Sequence, residues 1–361
     1  MSPHASRRRT WCLAGCLVAV VLLGALAAGC EPATRTGGPV SLAPPTREIL
    51  FRVGVCDTED PFESGKTAAR AAADQIGAAP VKAVLVSECY EDKDRKAKVL
   101  DGVHSVFPKA VVYGGATYGS LTQSGVAGGE SVAVLAIAGN DIDVAAACQP
   151  KMGAAGLTLT EHKDQLETRL RAAGAALAKQ LPKSARSRLA IVVADAHSPK
   201  NGALVEGVRG VLGKGFPITG GSVNKNAGQT FVYFRGQMLQ DAAIALMLSG
   251  DFRVAMAGRQ AKENDKVIAT AEAAGAEALR GLTGQKCRPA AAIVFDCAGR
   301  KGRLTNVADE LAAMQKALGT QMPLFGTYNA GEIGPADVAD AEPGVHSSGV
   351  GWHVMLTVVG W

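Results

Sequence analysis

Three short apolar runs, each ending in a carboxylate, constrain this chain more than any other feature: "AVLVSE" (Ala83–Glu88), "AIVVAD" (Ala190–Asp195) and "AIVFD" (Ala292–Asp296). They are too short for helices and rich in β-branched residues, so they read as buried strands. A helical stretch follows each, and glycines come 25 to 30 residues on: Gly114-Gly115 in "YGGATYG", Gly220-Gly221 in "TGGSVNKN" and Gly326 in "FGTYNAGEIG". Each unit closes on a further apolar strand, "SVAVLAIAG", "AAIALMLSG" or "WHVMLTVVG". One module of strand, helix, glycine turn and strand is therefore used three times. The carboxylates and glycines are expected at equivalent ends of equivalent strands, where glycine lets a ligand come close to the backbone.

The helical stretches agree with this. Thr158 and Glu161 have capping-box spacing, and Leu166, Leu170, Ala173 and Leu177 behind them step by three or four into an apolar stripe. Gly65 to Ala78, Gly202 to Leu212, Lys262 to Leu279 and Asn306 to Leu318 read the same way. The expected fold is α/β: repeated strand-helix-turn-strand units in a mixed sheet or sheets, covered by helices on the outer faces. The pattern leaves one sheet or two open.

Ahead of the repeats, Arg7, Arg8 and Arg9 precede an apolar run from Trp11 to Ala28 that ends in Ala27-Ala28-Gly29-Cys30. A charged start, an apolar middle and a small-residue end predict an export signal over residues 1–29. It is similar to a bacterial lipoprotein signal, which would make Cys30 the lipidated first residue; the alternative is an uncleaved membrane anchor, for which 18 residues fall just short of the roughly 20 that span a bilayer. Either places the body outside the cytoplasm on a membrane. Residues 30–48, rich in proline and glycine, form a tether. The formal charge of +5 includes three arginines of the signal, leaving +2, too little for a nucleic-acid footprint. Cys56, Cys89, Cys148, Cys287 and Cys297 lack C-x-x-C spacing, and no histidines stand at metal-ligand spacing, so neither a zinc site, a haem site nor a dense disulfide framework is implied.

Two paired motifs carry a family resemblance. "AIVFDCAGRKGR" followed by "LFGTYNAGEIGP" resembles the C-terminal half of the FIST family, and "VYGGATYG" with "PITGGSVNKN…FVYFRGQ…DAAIALMLSGD" is similar to its N-terminal half. The resemblance covers essentially the whole chain after the tether, giving a FIST N-terminal domain over 49–255 and a C-terminal domain over 256–361. It implies a sensory domain rather than an enzyme, with amino acids or their derivatives as ligands, no cofactor, and output through an unknown signalling partner.

The stretch "GTYNAGEIGP" has the G-x-x-x-x-G spacing of a phosphate-cradling loop, from Gly326 to Gly331, with Glu332 where a lysine is needed. A carboxylate there repels phosphate and suits an ammonium. Arg300, past the preceding strand, offers a planar fork suited to carboxylate. Glu332 and Arg300 could thus grip the two ends of a zwitterion, or pair with one another and pin two loops. Cys297, Tyr328, Asn329 and His346 are the remaining candidates for the same site. Cys297 is either a small buried residue or a hydrolase nucleophile; Asn329 either bonds a ligand or completes a turn. Asp57, Asp60, Asp195 and Asp296 either line the rim or cap helices, and His197 and Ser198 are too close in sequence to Asp195 to form a triad with it. A rival site is Gly65-Lys66-Thr67 after the strand "FRVGV", the setting of a nucleotide-binding loop, although Asp60 and Glu63 stand in it.

Overall fold

Three successive modules repeat one order of elements in the computed structural model, which describes residues 48–226 and 228–361; Cys30, the signal and the tether up to residue 47 lie outside the described residues. The first module runs β1 (Leu50–Cys56), α1 (Pro61–Asp74), β2 (Val81–Glu88), α2 (Lys93–Val106), β3 (Val111–Ala116), a hairpin of β4 (Ser120–Thr122) and β5 (Gly125–Ala127), and β6 (Val132–Ala138). The second runs β7 (Ile142–Gln149), α3 (Leu159–Lys179), β8 (Ser187–Ala194), α4 (Asn201–Leu212) and β9 (Ile218–Ser222). A short ribbon of β10 (Lys225–Asn226) and β11 (Gln229–Thr230) follows, then a hairpin of β12 (Val232–Phe234) and β13 (Gln237–Leu239), and β14 (Ala243–Gly250). The third runs β15 (Arg253–Gln260), α5 (Asn264–Gly284), β16 (Pro289–Cys297), the single turn α6 (Ala298–Lys301), α7 (Ala308–Leu318), β17 (Leu324–Asn329), a hairpin of β18 (Glu332–Gly334) and β19 (Ser348–Val350), and β20 (His353–Gly360). The repeat is thus longer than the expected strand-helix-turn-strand unit by a leading strand and helix and by a hairpin.

Apart from the two-stranded β10-β11 ribbon, the described strands form three six-stranded sheets, not one or two: β1-β6-β2-β3-β12-β13, β19-β18-β9-β8-β14-β7 and β15-β20-β16-β17-β4-β5. Each is mixed, with one parallel pair (β2/β3, β8/β9, β16/β17) among antiparallel neighbours. Each sheet also borrows its outer hairpin from another module. The first module's hairpin pairs with β17 of the third, the third's with β9 of the second, and the second's with β3 of the first. The exchange closes in a ring.

Alternation along each strand divides its side chains between two cores. Leu85, Ile191 and Ile293 point into one apolar core shared by all three sheets. Val84, Val192 and Val294 point outward under the helix pairs α1/α2, α3/α4 and α5/α7, into three separate outer cores. The turn glycines are needed because their backbones run against the neighbouring strand at positive φ. A Cβ on Gly114 would lie 2.0 Å from Val86 O, and one on Gly220 1.8 Å from Val192 O.

Glycine also sets the helix crossings. A Cβ at Gly65 would meet Val99 O at 2.3 Å and one at Gly102 would meet Phe62 O at 2.2 Å, so α1 and α2 touch backbone to backbone; Gly174 and Gly207 do the same for α3 and α4. This corrects the nucleotide-loop reading of Gly65-Lys66-Thr67. All three residues lie inside α1, whose N-cap is Asp60, and Lys66 pairs with Glu63 on the same helix. No loop is present there to wrap a phosphate. All described residues belong to one compact unit, and the 255/256 boundary falls within β15. Among the described residues, no helix is long and apolar enough to cross a membrane.

Candidate functional site

Arg300 and Glu332 are both fully buried, and neither lines the open clefts described below. The Arg300 guanidinium is used up inside the protein. Its Nε donates to Asp296 Oδ1 at 3.0 Å, Nη1 to Thr270 Oγ1 at 3.1 Å, and Nη2 to Val267 O at 3.0 Å and to Glu310 Oε1 at 2.7 Å. Two carboxylates share one guanidinium there. Burial, with Glu310 beside it, pushes the Asp296 carboxyl well above its usual range. The expected grip by Arg300 is therefore corrected, and so is its pairing with Glu332: the arginine ties α6 to α5 and α7. Glu332 Oε2 accepts His353 N–H at 3.0 Å while Oε1 has no partner among the described residues, and burial raises this carboxyl to about 8.

The other expected residues are structural where they stand. The Cys297 thiol is buried beside Glu332 and pushed up to about 12 by burial and by that charge, which disfavours the thiolate at neutral pH. Asn329 accepts from Thr327 Oγ1 at 2.5 Å and donates to Ser222 O at 3.3 Å, bordering a small cavity of about 10 Å³, room for about one water. The Tyr328 ring is buried, with its hydroxyl 3.3 Å from Glu310 Oε2. Gly331 packs against Ser198 and Asn201, where a Cβ would lie 2.9 Å from each. His346 is elsewhere: its N–H donates to Lys214 O, and the neighbouring Ser347 hydroxyl accepts from Ile218 N at the start of β9, the opposite end of the sheet from Glu332. Its imidazole is lowered by burial.

The strand tips do gather, but they bond to one another. Tyr118 N–H donates to Tyr328 O and Tyr328 N–H to Gly119 O; Asn224 N–H donates to Ala116 O; Ala330 N–H donates to Ser222 O and Ser222 N–H to Gly331 O. The amides that might have cradled an anion are thus spent in the ring.

Register shows where the modules differ. Val86 pairs with Gly114, Val192 with Gly220 and Val294 with Gly326, so Glu88, Ala194 and Asp296 are equivalent, and Asp195 lies one residue beyond. A one-residue step puts a side chain on the other face. Glu88 and Asp296 point outward and each holds a buried base: Lys96 Nζ lies 3.0 and 3.2 Å from the Glu88 oxygens, and Tyr233 donates its hydroxyl to the same group. The second module has alanine there and needs no base. Asp195 instead opens onto a solvent-filled cleft of about 540 Å³ at the carboxyl end of β8, lined among others by His197, Lys200, Lys225, Thr230 and Asp241.

This cleft is built from fixed parts. Asp195 Oδ2 accepts from Thr230 Oγ1 at 2.7 Å and from Asp241 N–H at 2.8 Å. The Asp241 carboxylate accepts from the N–H groups of Gly153, Ala154 and Ala155 at 2.8, 2.9 and 3.2 Å, holding the loop before α3 as one wall. Lys200 Nζ donates to Leu157 O at 3.0 Å, and Lys225 is exposed on β10. His197 is half-buried, its Nε2 has no partner among the described residues, and burial lowers its imidazole against the pull of Asp195. The sequence offers Asp195 as a rim residue or a cap and gives His197 no triad with it; the structure places both in this cleft. The signal lay in the spacing: 26 residues separate Glu88 from Gly114, and 25 separate Asp195 from Gly220.

The FIST N domain matches residues 82–273 and the FIST C domain residues 230–335. No curated protein matches. Among solved structures, the chain is similar to cyanuric acid hydrolase from A. caulinodans at 11% identity, covering 86% of this chain and 99% of that one, with a TM-score of 0.43. It is also similar to phosphoribosylformylglycinamidine synthase II from Thermotoga maritima at 10% identity, covering 86% of this chain and 72% of that one, with a TM-score of 0.28.

Proposed function

The chain belongs to the FIST family of sensory, ligand-binding domains, and from that premise we propose that it is an extracytoplasmic receptor for an amino acid or a close derivative. In this reading Cys30 carries the lipid that tethers it to the membrane, and the signal passes to a partner protein. The ligand sits in the cleft beside Asp195, not between Glu332 and Arg300.

The observation that carries this reading is the meeting of Asp195, Lys200 and Lys225 in one open cleft at a strand tip, the place where α/β sheets hold ligands. A volume of about 540 Å³ suits a small molecule. An acid and two lysines suit a zwitterion: the ammonium goes to the Asp195 carboxylate and the carboxylate to Lys225 and Lys200. Asp195 is held by Thr230 and Asp241, so little ordering remains for binding to supply. Binding, not catalysis, is inferred, because the one cysteine that the sequence offered as a nucleophile is buried and held protonated.

A thermal-shift screen of amino acids and derivatives, followed by calorimetric titration of the best hit, tests this. Asp195→Asn and Lys225→Ala should each weaken binding by roughly tenfold or more, as loss of a charge-assisted bond of about 1.5–3 kcal/mol requires, with the melting temperature of the free protein unchanged. The reading fails if no amino acid or derivative raises the melting temperature, or if both variants bind like the wild type.

A further inference from the structure

We propose that the end of the body opposite the cleft is a docking surface for anionic lipid headgroups. The proposal rests on the tethered reading for its setting, while its own support is geometric.

Two grooves open at that end. One, of about 470 Å³, is lined by Ser187 and Arg188 at the start of β8, the strand whose far tip carries Asp195, together with Lys183, Arg253 and Phe216. The other, of about 800 Å³, includes Arg52, Arg288 and Trp361. They share one edge of one sheet, since Arg253 and Pro289 both pair with Gly360. Neither groove has an aspartate or glutamate in its lining. Among the described residues none of these five cations is in an ion pair; Arg52, Arg188 and Arg253 rest their guanidinium groups on backbone carbonyls instead.

Many of the acids lie at the other end. Glu63, Asp94, Glu161, Asp265 and Asp309 occupy first turns of helices, and each helix starts at the cleft end. Acids also stand near the base: Asp143 pairs with Arg186 at 3.5 Å, Asp141 accepts Glu48 N–H at 2.7 Å, Asp74 ends α1 beside Gln75, whose carbonyl accepts from Arg52, and Asp251 precedes β15. Helix ends account for only part of the base cations: Lys183 donates to Leu212 O at the end of α4 and Arg52 to Gln75 O at the end of α1, while Arg188 and Arg253 bond no helix end. A modest net charge thus conceals a cluster of cations at the base.

The chain itself leaves the body here. Ile49, Leu50 and Phe51 line the larger groove, so residues 30–48 begin at this end. A tether of that length keeps the base within a few tens of ångströms of the bilayer, where each Lys or Arg near an anionic surface strengthens binding about fivefold. Trp361 and Phe216 at the groove walls suit the headgroup depth, where aromatic rings collect. A docked base would leave the Asp195 cleft facing away from the membrane, open to its ligand.

The test uses the chain from Glu31 onward, unlipidated, which contains the whole compact body. Co-sedimentation is measured with phosphatidylcholine vesicles and with the same vesicles containing phosphatidylglycerol. Binding only to the second, weakening steeply with salt and falling at least tenfold in Arg188→Glu with Arg253→Glu, is expected, with the melting temperature kept. Equal binding to both vesicles, no binding to either, or indifference to the charge reversal overturns the proposal. Tighter binding to a DNA fragment than to the anionic vesicles also overturns it, in favour of a polyanion partner. Radiolabelled palmitate incorporation into the full chain, lost in Cys30→Ala, tests the tether separately: vesicle binding without labelling removes the tether and leaves the surface, and labelling without vesicle binding does the reverse.

Discussion

Glu332 keeps one carboxylate oxygen bonded and the other bare inside the protein, which makes its proton the cheapest way to keep it there. The sign of the pH effect follows. Its folded value of about 8 stands above the usual 4.5, so between those values the folded protein holds a proton that the unfolded chain releases. Stability from this residue is therefore fully present below about 4.5 and is lost progressively as pH rises from there to about 8, at about 1.4 kcal/mol per unit. Glu332→Gln should raise resistance to denaturant at about pH 8 by up to a few kcal/mol and leave it nearly unchanged at about pH 5; an equal gap between variant and wild type at both values would refute this. Arg300→Ala should behave quite differently, destabilising the fold by about 3–5 kcal/mol because Asp296 and Glu310 lose their shared cation. Urea unfolding of that variant reads the loss, and a stability within about 1 kcal/mol of wild type would mean the triad is dispensable. The sequence named these residues as chemically special, and they are; it could not tell a grip on a ligand from a grip on the protein, because Glu310 and Thr270 come to Arg300 only through the packing of α7 and α5.

At the scale of elements, the paired helices were legible from their stripe where it was purely apolar and from the repeat alone where it was not. The stripe of α3 shows in its sequence, whereas α2, expected after Glu88 from the repeat, has a mixed stripe in which Lys96 is buried with Val99, Leu100 and Val103. The hairpins, three residues to a strand, are too short to carry an alternation. Glycines inside the helices read as weak points and are in fact the crossing points. Helix α4 offers a matched pair: a Cβ on Gly207 would sit 2.0 Å from Arg171 O, whereas Gly210 has nothing within 4 Å. Gly207→Ala should therefore cost roughly 1–3 kcal/mol by forcing α3 and α4 apart, while Gly210→Ala should gain about 0.5–1 kcal/mol from helix propensity. Thermal melts of the two variants should move in opposite directions, and a Gly207→Ala protein as stable as wild type would contradict the backbone contact.

For the whole molecule, the threefold repeat was legible because each module carries the same signal, but its closure was not, because closure depends on which sheet each hairpin joins. That ring has a mechanical consequence. The hairpin of each module completes a neighbour's sheet, and the inner faces of all three sheets share one core containing Leu85, Ile191 and Ile293. No module can bury its inner face alone, so the match of two family domains to the chain does not mark two folding units. Cutting the chain before Arg253 removes β17, leaving β4 and β5 without their partner strand, and removes β18 from the edge of β9. It also exposes the inner faces of the two remaining sheets. A fragment of residues 47–252 should accordingly show helical circular dichroism but no sharp thermal transition, together with fast amide exchange through β8 and β14, and mixing with a fragment of residues 253–361 should restore both. Cooperative melting of the first fragment alone, near the temperature of the intact chain, would show that two walls suffice and that the ring of hairpins is not what makes the body a single unit.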